Sequence, residues 1–183
     1  MSAMKVSGDN KLIVEAARLG SRKAFGLLVE HHQEAVRRFF LSQTLGDQAL
    51  SDDLAQETFV KAWTHMGQFR GASSVRTWLL RIAYNVLYDY HRGFRPTEDL
   101  TSPQTRARAE AAPEAGLLID LKEALAVLNA SERLCVTLQL MEGESIEHIA
   151  NITGLNEGTV KSQLSRGKQK LAEWLRKNGY ERE

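Results

Sequence analysis

The chain of 183 residues is 43% hydrophobic and carries 24 Lys and Arg residues against 23 Asp and Glu residues. It is long enough to bury one or two small cores, and its near-neutral charge conceals acidic and basic residues that cluster in different segments. No apolar run approaches the roughly 20 residues of a membrane span, and the polar start MSAMKVSGDNK lacks the apolar core of a signal peptide. We therefore expect a cytoplasmic protein with no direct membrane insertion.

Apolar residues recur at helical spacing over residues 11–92 and again over residues 117–177, with no alternating strand pattern. This pattern predicts an all-α protein of two small helical domains, residues 1–93 and 117–183. Residues 94–116 contain all three prolines and no apolar stripe, which predicts a flexible linker. The predicted helices lie near residues 10–19, 21–41, 50–66, 74–93, 117–128, 130–141, 145–153 and 157–177.

The third predicted helix contains the acidic motif DDLAQETFVKAW, residues 52–63. At helical spacing its apolar residues share an inward face, while Asp53 and Glu57 follow one another on the outer face. Such carboxylates could be simply solvated, act as an acid and base pair, bind a metal, or pair with Arg side chains of a partner. A metal needs further ligands, and the nearest candidates, His31 and His32, are adjacent on another helix and so point in different directions. No metal or cofactor is therefore predicted.

The fourth predicted helix follows the loop FRGASS and has the sequence VRTWLLRIAYNVLYDYHR. Ser73 or Ser74 can cap its start. Its outer face mixes cations, an amide and aromatic rings, namely Thr77, Arg81, Tyr84, Asn85, Tyr88 and Arg92. This mixture suits single nucleic acid strands, because Arg neutralises phosphates while rings stack on bases, and the loop 69–74 could hold an extruded base. Alternatively, the tyrosines are aromatic residues of the core or its edge.

The segment EHIANITGLNEGTVKSQLSRGKQK, residues 147–170, is typical of two short helices joined by a tight turn at Gly154. Asn156 is the predicted N-cap of the second helix. The polar face of that helix carries donors that can reach base edges or phosphates in the major groove, namely Thr159, Lys161, Ser162, Gln163, Ser165, Arg166 and Lys168. The alternative is a surface helix with a solvated basic face. Cys135, the only cysteine, lies in the apolar run LCVTLQL and is predicted to be a packed core thiol.

The motifs DDLAQETFVKAW, FRGASSVRTWLLRIAYN and IANITGLNEGTVKSQLSRGKQKL, in this order and at these separations, together resemble one family. It is that of the extracytoplasmic-function (group 4) sigma factors, the small two-domain sigma subunits of bacterial RNA polymerase. The resemblance covers nearly the whole chain. It implies a sigma factor without enzymatic activity, which binds core RNA polymerase, directs it to specific promoters and helps open the DNA. Residues 1–93 would be sigma region 2, and residues 117–183 would be sigma region 4.

The resemblance also implies roles for particular residues. Docking on the β′ clamp helices of core polymerase falls to Asp53, Gln56 and Glu57. Reading and melting the minus-ten element falls to Phe69, Arg76, Trp78, Arg81 and Asn85. Trp78 would either contact DNA or support the loop from the core. Reading the minus-thirty-five element falls to Thr159, Lys161, Ser162, Ser165 and Arg166. Region 4 would also bind the β flap, and an anti-sigma factor would hold the protein inactive.

Two other functions remain open at this point. A stand-alone helix-turn-helix transcription regulator would bind duplex DNA without polymerase, with the N-terminal half serving oligomerisation or signal binding. A small metal-dependent phosphohydrolase would use Asp52, Asp53 and Glu57 with the pair His31 and His32, although no convergent set of His and Asp residues is visible elsewhere in the sequence.

Overall fold

The computed structural model describes residues 11–93 and 115–180, except for the side chains of residues 115–119. Within these ranges the chain is helical and has no strand, which confirms the all-α prediction. The helices are α1 (Lys11–Arg18), α2 (Arg22–Gln43), α3 (Gln48–His65), α4 (Val75–Gly93), α5 (Ala115–Ala126), α6 (Ala130–Val136), α7 (Ile146–Thr153) and α8 (Glu157–Lys177). A 3₁₀ turn, Met66–Gln68, follows α3, and a π-helical turn, Thr137–Met141, follows α6.

Most predicted helix boundaries differ from the observed ones by one or two residues, and two differences change the description of the chain. Helix α5 begins at Ala115, so the last two residues of the predicted linker are helical, while residues 94–114 lie outside the described part of the chain. The helix predicted over residues 130–141 changes its hydrogen bonding after Val136, because the amide of Glu142 donates to the carbonyl of Thr137 at 3.2 Å, five residues back. Such wider turns are rare inside α-helices and often occur at functional sites.

Capping side chains set where the helices begin. In five helices a side chain before the first turn accepts a hydrogen bond from a backbone amide, namely Ser21, Asp47, Ser74, Ser145 and Asn156. Helix α6 begins with a capping box, in which Asn129 accepts from the amide of Glu132 at 2.8 Å and Glu132 accepts from the amide of Asn129 at 3.1 Å. Because the first amides of a helix have no partner within it, these bonds fix the starts locally.

Helices α1 to α4 form the N-terminal half of the protein. Helix α2 packs against α1, α3 and α4, and α3 packs against α4. The largest fully buried side chains of this half are Phe39, Phe40, Leu28, Met66, Leu79 and Leu80. Burying a side chain of this size contributes about 1.5–3 kcal/mol. The packing therefore fixes which faces of α3 and α4 point outward.

Helices α6, α7 and α8 form the core of the C-terminal half, and α5 packs against α8. Helices α6 and α8 are closely packed at Gly167, where a Cβ atom would lie 2.7 Å from Cγ2 of Val136. Cys135 is fully buried, as predicted, and burial raises the pKa of its thiol to about 11. The thiol is therefore protonated at neutral pH, which makes it a poor nucleophile.

The two halves touch along one interface. Helix α4 packs against α7, and α2 contacts both α6 and the π-helical turn. The arrangement places the turn that follows Met141 directly over α2 and α4. Among the described helices, none combines the length and the apolar character needed to cross a membrane.

Candidate functional site

The exposed face of α3 is acidic. Leu54, Ala55, Thr58 and Ala62 are buried, which leaves the predicted docking residues exposed, namely Asp53, Gln56 and Glu57. Lys61 lies 3.0 Å from Glu57 and 3.4 Å from Asp89. The hydrogen bond with Glu57, followed by the charges of the two carboxylates, raises the pKa of Lys61. Lys61 thus limits the acidic face at its C-terminal end.

The carboxylates of α3 do not assemble into a metal site. Asp52 accepts a hydrogen bond from Nε of Arg37 at 2.6 Å, so its nearest charged partner is a cation and not a histidine. Over residues 11–93 and 115–180 no group of three His, Cys, Asp or Glu side chains is placed to hold a metal ion. The structure therefore gives no support to a metal-dependent phosphohydrolase.

Two packed aromatic rings, those of Phe69 and Trp78, lie on the core side of the loop before α4. The 3₁₀ turn ends with the amide of Phe69 donating to the carbonyl of Met66 at 3.1 Å, and this turns the Phe69 ring inward, where it is only 6% exposed. Its centroid lies 5.1 Å from that of the half-buried Trp78. Phe69 was expected to meet DNA, but its ring is not available for stacking on a base in this conformation. In this packing the rings of Phe69 and Trp78 lie together on the core side of the loop.

The start of α4 is capped by Ser74 and not by Ser73. The Oγ of Ser74 accepts from the amide of Thr77 at 3.1 Å. Arg81 and Asn85 then lie exposed one turn apart, as the sequence predicted for a strand-binding face. Tyr88 is 56% exposed on the same side, and its ring centroid lies 6.5 Å from that of Tyr84.

Tyr84 belongs to the edge of the core. It is half-buried against the hydrophobic cluster, and desolvation raises the pKa of its hydroxyl. Of the two alternatives for the tyrosines, Tyr84 therefore fits that of an aromatic residue at the edge of the core. Tyr84 supports the face, while Tyr88 presents an aromatic surface beside Arg81 and Asn85.

Arg76 and Thr77, at the start of α4, face the C-terminal half. Nη2 of Arg76 donates to Oε2 of Glu142 at 2.5 Å, and Arg38 of α2 donates to both oxygens of the same carboxylate at 2.7 and 2.9 Å. The hydroxyl of Thr77 is buried and donates to Glu144 at 3.2 Å. Sequence analysis did not single out Arg38, Glu142 or Glu144. No sequence pattern connects them, because 104 residues separate Arg38 from Glu142.

The helix-turn-helix is formed as predicted. Gly154 ends α7 with φ 73°, a left-handed conformation that suits glycine, and Asn156 accepts from the amide of Thr159 at 2.7 Å to begin α8. Val160 and Leu164 are buried. The predicted DNA-facing residues lie on the opposite side, where Thr159 is half-buried and the others are exposed, namely Lys161, Ser162, Ser165 and Arg166.

Helix α8 is held in place by a buried carboxylate. Glu132 is 1% exposed, and Nζ of Lys170 lies 2.8 Å from its Oε2 and 3.0 Å from its Oε1. Nε of Arg166 lies 3.9 Å from Oε1. Burial acts to raise the pKa of Glu132, but the bonds from Lys170 and the amide of Asn129, with the nearby charges of Lys170 and Arg166, outweigh it and hold the pKa below its usual value.

Both halves of the chain match known protein families. Residues 28–95 match the sequence model of Sigma-70 region 2, and residues 118–171 match that of Sigma-70, region 4. The ECF RNA polymerase sigma factor BldN of Streptomyces coelicolor is 32% identical over 172 residues, which covers 89% of this chain and 64% of BldN. The RNA polymerase sigma-H factor of Pseudomonas aeruginosa is 31% identical over 183 residues, which covers 92% of this chain and 94% of that protein.

A solved structure shares the fold. The sigma factor RpoE of Bartonella quintana, in a co-crystal with the anti-sigma factor NepR, matches with a TM-score of 0.67 and 29% identity, over 84% of this chain and 98% of that one.

The two matched regions, the helix-turn-helix and the acidic helix define a non-enzymatic transcription initiation factor of the sigma class. The chain belongs to the sigma-70 family and, within it, to the extracytoplasmic-function sigma factors. This confirms the resemblance seen in the motifs, and a stand-alone helix-turn-helix regulator is not favoured. Sigma factors bind core RNA polymerase and promoter DNA, so surfaces of this chain must serve each of these partners.

Proposed function

We propose that this sigma factor docks on the β′ clamp helices of core RNA polymerase through Asp53, Gln56 and Glu57. The observation that carries the proposal is their exposure on one face of α3, whose other face is buried in the core. Carboxylates one turn apart on a rigid helix suit pairing with guanidinium groups, which bind carboxylates through two parallel hydrogen bonds. Gln56, between them in sequence, adds a neutral donor and acceptor.

The minus-ten surface is proposed to centre on Arg81 and Asn85 of α4. Both side chains are exposed beside Tyr88, and the capped loop 69–74 lies next to them in the chain. An unstacked base costs a few kcal/mol to extrude, and stacking and hydrogen bonding on this face would offset that cost. Phe69 and Trp78 contribute by holding the loop from the core side, and Arg76 contributes once it is released from Glu142.

The minus-thirty-five surface is proposed to be the outer face of α8. The first three turns of this face present Thr159, Lys161, Ser162, Ser165 and Arg166. In a helix-turn-helix the second helix enters the major groove with its N-terminal part towards the bases. A good bidentate contact there is worth roughly 1–3 kcal/mol of discrimination between base pairs.

The proposed division of the chain is region 2 at residues 1–93, a linker at 94–116, and region 4 at 117–183, which also binds the β flap. Two weak DNA-binding surfaces joined by a tether gain strength when polymerase fixes their separation, because the second contact becomes intramolecular. We further propose that the protein works in the cytoplasm and is held inactive by an anti-sigma factor. The complex of the Bartonella quintana sigma factor with NepR supports this partner class.

The experiment is transcription of total genomic DNA by a bacterial core RNA polymerase, with and without the purified chain, followed by sequencing of RNA 5′ ends. The proposal expects new start sites that share two sequence elements at a constant separation. Chain-dependent binding to duplex DNA in the absence of polymerase, with no new start sites, would instead support a stand-alone regulator.

A further inference from the structure

The interface between the two halves contains a buried carboxylate that binds two arginines. The side chain of Glu142 has 0% exposure. A Glu side chain is almost never fully buried unless it is paired. It accepts three hydrogen bonds, two from Arg38 of α2 and one from Arg76 of α4. The hydrogen bond to Glu142, with the charge of that carboxylate, raises the pKa of Arg38. Glu142 thus joins α2 and α4 to the C-terminal half.

A second carboxylate strengthens the same contact. Glu144 is 6% exposed, accepts from the hydroxyl of Thr77 at 3.2 Å, and lies 2.9 Å from Nδ1 of His148. Its amide donates to the carbonyl of Leu138 at 2.9 Å, and Gly143 has φ 72° between the two glutamates. The turn after the π-helical segment is therefore folded on itself, so that it presents Glu142 and Glu144 together to α2 and α4.

Arg38 and Arg76 form an anion site in which Glu142 does not accept from every donor. Nε of Arg76 is shielded from solvent and has no hydrogen-bond acceptor in the structure. A carboxylate offers two oxygens, whereas a phosphate diester offers two non-bridging oxygens that share one negative charge, and two bridging oxygens, around a larger centre. Guanidinium groups bind both anions in the same bidentate manner. Arg76 also lies at the start of the helix that carries Arg81 and Asn85.

We propose that Glu142 closes the free protein by occupying an anion site, formed by Arg38 and Arg76, that receives a DNA backbone phosphate once the two halves separate. In the closed form Glu142 takes the place of the phosphate and keeps Arg76 and Thr77 away from DNA. When the two halves separate, a DNA phosphate replaces the Glu142 carboxylate on the same two arginines. DNA and the turn at residues 142–144 therefore compete for Arg38 and Arg76. The DNA step rests on the proposed function, whereas the closure does not.

Closure is tested by energy transfer between dyes on Gln33→Cys and Glu173→Cys, both exposed positions, in the full chain. The native Cys135 is fully buried and does not compete for label. The parent should show high transfer, and Glu142→Ala and Arg38→Met, which act from opposite sides of the interface, should both lower it. Glu147→Ala, an exposed carboxylate on α7, is the matched control and should leave transfer unchanged. Unchanged transfer in both interface variants, with unaltered melting temperatures, would overturn the closure.

The anion site is tested with unlabelled protein and a fluorescent single-stranded DNA of arbitrary sequence at several NaCl concentrations. Glu142→Ala should bind it more tightly by about tenfold if the closed form predominates in the parent. Arg38→Met also opens the protein but removes half of the site, so it should show little gain and a shallower salt dependence, by about one phosphate contact. If Glu142→Ala lowers the energy transfer but does not bind the DNA more tightly, the proposed replacement of Glu142 by a phosphate is overturned. Neither assay contains polymerase. A negative result in either assay therefore does not contradict docking through α3, and a failure of docking would not change the interpretation of either assay.

Discussion

Nζ of Lys170 lies 2.8 Å from Oε2 of Glu132, and this contact ties the DNA-facing helix α8 to the start of α6. Glu132 serves two structures at once, because it also completes the capping box with Asn129. The orientation of the proposed minus-thirty-five surface therefore depends on a carboxylate that never reaches DNA.

Removing the ammonium group should destabilise the protein. Lys170→Met keeps the aliphatic stem but leaves the buried Glu132 with the amide of Asn129 and the more distant Arg166, which should cost about 1–3 kcal/mol. Urea denaturation followed by circular dichroism measures the free energy of unfolding. Lys168→Met, an exposed lysine on the same helix, is the control and should change it little. Equal stability of the two variants would show that Glu132 does not depend on Lys170.

The lowered pKa of Glu132 predicts that the free energy of unfolding decreases in acid. Its folded-state pKa is held below its usual value, so the unfolded chain binds more protons at mildly acidic pH. The stability that Glu132 contributes is fully present above the unfolded pKa of about 4.3 and is lost as the pH falls through the lower folded pKa. The difference in unfolding free energy between the parent and Glu132→Gln should therefore shrink as the pH is lowered from about 6 to 3. A difference that is constant over this interval would contradict the assignment.

Close packing of α6 on α8 predicts an unusual effect of adding one methyl group. Gly167→Ala would place Cβ 2.7 Å from the branched, stiff Val136, so overpacking should cost about 1–3 kcal/mol despite the better helix propensity of Ala. In Gly26→Ala, where nothing lies within 4 Å of the added Cβ, propensity should dominate and stabilise α2 by roughly 0.5–1 kcal/mol.

A double variant isolates the contact. Val136→Ala should recover part of the loss when combined with Gly167→Ala, giving a coupling energy of about 0.5–3 kcal/mol in a thermal or urea cycle. Strict additivity of the two substitutions would mean that the predicted clash is relieved elsewhere.

Some of this architecture could be predicted from the sequence because the information is local. Gly154 and Asn156 each act within one turn of the chain, and both were placed correctly. The second partner of Glu132 could not be predicted, because Lys170 lies 38 residues away and no periodicity relates them. The same holds for the pairing of Arg38 with Glu142.

The burial of Phe69 shows another limit. The resemblance implied that Phe69 contacts DNA, but its ring follows the 3₁₀ turn at Met66–Gln68 and packs with its centroid 5.1 Å from that of Trp78. Turn geometry of this kind depends on the packing beneath the loop, which sequence spacing does not report. Exposure on regular helices followed from spacing at Asp53 and Arg81, but not at Thr77, which was predicted on the outer face of α4 and is buried against Glu144 of the C-terminal half.

The proposed melting face predicts a defect in strand opening and not in docking. Asn85→Ala removes an exposed amide from α4 and should slow opening, seen as lost permanganate reactivity of thymines near the start site of a promoter found by the genomic assay. Core polymerase binding should be unchanged. Gln33→Ala, an exposed amide on α2, serves as the control. Full reactivity with Asn85→Ala would remove this residue from the minus-ten surface.

The most direct test of the account is equilibrium binding of the purified chain to bacterial core RNA polymerase, compared with the variant Asp53→Lys, Glu57→Lys. Glu30→Lys, Glu34→Lys reverses two exposed carboxylates at the same spacing on α2 and controls for the change in net charge. We predict tight binding by the parent and the control, and a loss of at least tenfold in the α3 variant, since two charge pairs would become repulsive. Equal affinity of all three proteins would contradict docking through α3.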